Sequence, residues 1–98
     1  MILRFLRGDR GKRTQGGPAE IADRETYQGF EVLARPIREE GQWRLAGSIR
    51  RPGDEDGPRH DFVRADTMAD HDECVRMSLL KGRQLVDEQG ERLLRSRE

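Results

Sequence analysis

The densest group of side chains able to do chemistry is Asp66, Asp70, His71, Asp72, Glu73 and Cys74. His71 and Cys74 are three residues apart, which on a helix puts them near one face. Asp70 or His60 would add a ligand to make a metal site. A thiol near a helix N-terminus ionises more readily than a free one, so Cys74 with His60 or His71 is the pairing that comes nearest to a nucleophile and its base. The plainer reading is a helix start. Asp70 caps it, the acidic residues sit at its positive end, and Cys74 lies beside the core. No oxyanion loop accompanies the thiol. Gly8-Asp9-Arg10-Gly11 lacks the spacing and flanking elements of a phosphate-binding loop. The expectation is a protein that is not an enzyme, with no catalytic residue, metal, cofactor or small-molecule substrate.

What positions such residues must be small. The chain has 98 residues, 33% hydrophobic and 39% charged, against roughly 45–50% and 25% in an ordinary globular chain. A thin core in one domain is what this composition allows. A single cysteine excludes an internal disulfide framework, and no run approaches the roughly 18 apolar residues of a membrane span. Met1 to Arg7 is too short and polar for a secretory signal, so a cytoplasmic protein is expected. Nineteen basic and nineteen acidic residues cancel, but not evenly: residues 1–20 carry +3 and the remaining 78 carry −3. Residues 8–19, GDRGKRTQGGPA, cannot bury enough apolar surface to offset the entropy of ordering them. Residues 1–25 therefore read as a flexible basic arm and linker, 26–94 as the domain, and 95–98 as a frayed end.

Within the domain, Phe30, Val32 and Ala34 alternate with Glu31, Leu33 and Arg35, the mark of a strand with one buried face. Pro36 cannot donate a ladder bond, so that strand lies at an edge or ends there. After a turn at Glu39-Glu40-Gly41, Trp43, Leu45, Gly47 and Ile49 fall on one side of a second strand, antiparallel to the first. Gly47 removes a side chain where something large approaches, a crossing helix being the candidate. A third strand covers about Arg59 to Ala65, with either Phe62 or Val63 buried. Asp70 and Glu73 have capping-box spacing. Val75, Ser78, Leu79, Gly82, Leu85, Val86 and Leu93 then form the apolar stripe of a helix, which ends at Gly90 or runs through it. Ser78 and Gly82 would let that helix lie close to the sheet, opposite Trp43. The expected fold is α+β: a three-stranded antiparallel sheet with one long C-terminal helix packed on one face, in the order β-β-β-α.

Tyr27-Gln28-Gly29-Phe30, Pro36-Ile37, Arg64-Ala65-Asp66-Thr67 and the stretch Gln84 to Leu93 resemble a family of short proteobacterial proteins, the HlyU-type transcriptional activators. The resemblance covers about residues 26–94. It implies transcription control and DNA binding, and carries no catalytic residue.

The sheet face turned away from the helix is where such a function would sit. Arg35, Arg44 and Arg50 fall on it, and Arg64 joins them if Val63 is the buried member of its pair. Leu33, Ala46 and Phe62 lie between. A sheet can enter a DNA groove, and Arg4, Arg7, Arg10, Lys12 and Arg13 would tether the chain to phosphates. The alternative is a non-enzymatic interaction module. Leu33, Ile37 and Phe62 would then seat a second copy, as a homodimer, or a protein partner.

Overall fold

The structure, a computed structural model, describes residues 20–95. Most of the expected arm, residues 1–19, and the end from residue 96 lie outside them. The sheet has five strands: β1 (Asp23–Tyr27), β2 (Phe30–Ala34), β3 (Ile37–Glu39), β4 (Gln42–Arg50) and β5 (Arg59–Met68). All pair antiparallel. Nine-residue β4 is its spine. Along one edge β4 takes β2 opposite residues 47–50 and β3 opposite residues 42–44, so the two short strands lie end to end. Strand β5 runs along the other edge, and β1 adds to the free side of β2.

The three-stranded sheet expected from sequence is corrected here in two places. The first expected strand is broken at Arg35-Pro36 into β2 and β3. Pro36 sits in the break, where its missing donor costs no ladder bond; of the two alternatives read at Pro36, an edge strand or a strand end, β2 takes the second and is itself an inner strand. Strand β1, whose sequence Asp-Arg-Glu-Thr-Tyr has no apolar alternation, begins the sheet at Asp23, ahead of residue 26. Gln28 (φ 52°) and Gly29 (φ 82°) join β1 to β2, and Glu40 (φ 50°) and Gly41 (φ 82°) join β3 to β4. Two positive φ values in a two-residue loop make a type I′ turn, whose twist matches the strands it connects.

Helix α1 (His71–Gln89) lies across one face. The Asp70 side chain caps it, accepting from the Glu73 amide at 2.9 Å. Gly90 (φ 53°) ends it, and a 3-10 helix, Gly90–Leu94, follows. Cys74, Ser78, Gly82 and Val86, each four residues on, are its buried stripe. They meet Phe30, Val32, Leu45, Ile49 and Phe62 of the sheet and Leu93 and Leu94 of the 3-10 helix.

Small residues set the separation of these layers. A Cβ on Gly82 would collide with Val32 Cγ1, so the helix backbone rests on the sheet there. Ser78 accepts from the Ala46 amide at 3.3 Å; the residue near Trp43 is instead Cys74, whose thiol meets the Trp43 carbonyl. Gly47 makes room for a neighbour within the sheet, not for the helix: a Cβ there would lie 2.7 Å from Phe62 Cζ. That vacancy settles the third strand. Phe62, directly across from Gly47, turns inward and is 7% exposed, while Val63 is 58% exposed.

Candidate nucleic-acid interface

The sheet face away from α1 is built from Arg24, Glu31, Leu33, Arg35, Arg44, Ala46, Ser48, Arg50, Arg59, Asp61 and Val63, as the register dictates. Its centre is closed. Leu33 and Ser48 have no exposed surface, and Ala46 is 3% exposed. Arg50 Nε donates to Glu31 Oε1 at 2.7 Å, and Arg24 reaches the other oxygen of Glu31 at 3.4 Å. The hydrogen bond from Arg50 holds the Glu31 carboxyl below its usual range, against the opposing effect of burial. Arg35 Nη1 donates to Ser48 Oγ at 3.4 Å. Ser48 donates in turn to Asp61 at 2.6 Å, and Asp61 pairs with Arg59 at 2.8 Å. Burial lowers the pKa of Arg35, the Arg59 charge acting the same way and Asp61 opposing both.

The four arginines expected to share this face are thus separated. Arg35 and Arg44 are half-buried on it. Arg44 Nε donates to Glu39 at 2.6 Å and its Nη1 to the Arg64 carbonyl at 3.0 Å. Arg50 is on the face but buried and paired. Arg64 is exposed but is not part of it: with Phe62 inward and a bulge between Arg44 and Ala46, Arg64 and Asp66 line a recess with Met77, Leu80, Lys81 and Gln84 of α1. Phe62 also leaves the apolar set proposed for a second copy, and Leu33 is covered. Arg4, Arg7, Arg10, Lys12 and Arg13 lie outside the described residues.

On the helix side, Trp43 is held between Arg38, whose guanidinium is 5.0 Å from the ring centroid, and His71, edge-on at 4.5 Å. His71 therefore packs on an aromatic ring. Burial raises the pKa of Cys74, partly countered by a hydrogen bond with Ser78, so the thiol is not primed as a nucleophile. His60 pairs with Ile49, six residues along β4 from Trp43. Among the described residues no three His, Cys, Asp or Glu side chains come together to hold a metal ion.

One basic group escaped the sequence reading. Arg59, His60, Arg92 and Arg95 line a recess of about 560 Å³ between the start of β5 and the 3-10 helix. Gly90 was the available signal, since a helix that stops there turns the arginines beyond it toward the sheet.

Among the described residues no helix is long and apolar enough to cross a membrane. No curated protein and no solved structure matches the chain. A family model described as transcriptional activator HlyU matches residues 4–94, nearly the whole sequence. The chain belongs to the HlyU transcriptional activator family.

Proposed function

We propose that this protein regulates transcription by contacting DNA through phosphate-directed arginines. The observation that carries the reading is the extent of the family match. It begins at residue 4, so the run containing Arg4, Arg7, Arg10, Lys12 and Arg13 lies within the matched region. That run matters because residues 21–98 carry −3, and a surface of that sign does not by itself concentrate phosphates. On the sheet, Arg35 and Arg44 keep part of their surface accessible and add to the contact. Arg50 supports the face from beneath.

Exchanging Arg4, Arg7, Arg10, Lys12 and Arg13 for Gln in the full chain tests this. Binding to a short mixed-sequence duplex at low salt should weaken by more than tenfold, because each lost phosphate contact removes released counterions. Unchanged binding would contradict a phosphate-directed role for the segment. Absence of binding by the unaltered chain would favour regulation through a protein partner.

A further inference from the structure

We infer that the recess lined by Arg59, His60, Arg92 and Arg95 is a seat for a DNA backbone phosphate; this rests on the DNA reading above. Gly90, with a φ of 53°, ends α1, and the chain tightens into the 3-10 helix, closed by the Arg95 amide donating to the Arg92 carbonyl at 3.3 Å. Arg92 belongs to this helix and Arg95 caps it in an extended conformation, and both line the same recess. Leu93 and Leu94, 6% and 7% exposed, anchor that turn in the core. Two exposed arginines are thereby carried on an apolar base across from the first residues of β5.

Charge accounting distinguishes this place from the sheet face. Among the described residues no acidic one lines the recess. The nearby carboxylates are engaged: Asp61 with Arg59, and Glu91 with Arg51 at 2.5 Å. Among the described residues neither Arg92 nor Arg95 makes an ion-pair contact with a carboxylate; Arg95 meets the Glu91 charge only at longer range, behind Arg51. Their planar forks suit phosphate oxygens, and Pro58, Leu93 and Leu94 line the recess beside them. The recess is open on one side, as a continuous backbone passing through it requires. A purely structural role has one physical basis, since cations near a helix C-terminus offset its dipole, and the test separates the two.

Backbone amides of the full chain, titrated with a short mixed-sequence duplex at low salt, should shift most around His60 and from Arg92 to Arg95, besides any in the basic segment. The Arg92→Gln/Arg95→Gln variant should bind more weakly, with a log–log salt slope shallower by about 1.8, the loss of two phosphate contacts. Arg76→Gln/Arg83→Gln, with the same change of charge on the exposed side of α1, should keep the original slope. If the duplex binds while these amides stay still and the first variant keeps the slope, the recess is not a contact and the DNA reading survives. If that variant unfolds more easily but binds as before, the arginines serve the helix end alone and the inference is overturned. No binding by the unaltered chain would end both.

Discussion

Arg50 and Glu31 face each other across β4 and β2, joined by a 2.7 Å hydrogen bond, with side chains 8% and 12% exposed. A pair so placed spends its charge inside the protein. Removing Arg50 leaves Glu31 with only the longer contact to the exposed Arg24, at a cost of up to about 3–5 kcal/mol. Arg50→Gln should therefore lower the urea midpoint by that order without changing the slope of the transition. A loss under about 1 kcal/mol, the range of an exposed pair, would mean that the face is open to water.

The same carboxylate gives the stability an acid limb. The folded pKa of Glu31 is depressed by the Arg50 hydrogen bond, so between its folded and unfolded values the unfolded chain binds more protons. The contribution is present above the unfolded value of about 4.3 and disappears as pH falls through the folded value. Glu25 and Glu91, lowered by hydrogen bonds from Arg83 and Arg51, act in the same direction but at the surface. Thermal unfolding of the parent chain and Glu31→Gln should differ at pH 7, and the difference should shrink only as pH falls well below the ordinary carboxylate range, through the depressed folded value. A difference independent of pH would show that the ionised carboxylate is not what stabilises.

Gly82 tests how closely helix and sheet approach. Gly82→Leu should cost well beyond the roughly 0.5 kcal/mol of a surface change, in or above the 1–3 kcal/mol of an overpacked core. The new side chain enters the volume of Val32. A neutral denaturation curve would remove that contact from the account.

Gly29 has a different constraint. A Cβ there meets nothing within 4 Å, yet φ is 82°. Gly29→Ala should cost about 1–2 kcal/mol through the backbone alone, and Gly29→Asn should recover much of it, since Asn tolerates this region. Equal losses for Ala and Asn would point to packing instead of turn geometry.

The main lines of the fold were legible because they rest on periodicity. Trp43, Leu45 and Ile49 announced the inner face of β4, and Asp70 with the Ser78–Gly82 pair announced the helix and its close approach. What escaped has specific causes. Strand β1 is a wet edge whose residues alternate in nothing. The choice between Phe62 and Val63 depends on which of them stands across from Gly47, a relation between strands that neither strand contains. Sequence shows the side of the outer arginines and not their partners: Glu31 lies nineteen residues from Arg50, opposite it only once β2 and β4 pair. The recess at Arg92 and Arg95 depends on a turn direction that only the φ of Gly90 sets.

The central claim is that this family member meets DNA through phosphate contacts. Affinity of the full chain for a short mixed-sequence duplex, followed from low to moderate salt, tests it most directly. With four to six phosphates engaged, the log–log slope should be roughly −4 to −5. A slope near zero, or no binding at the lowest salt, would contradict the claim and place the regulatory contact on a protein surface.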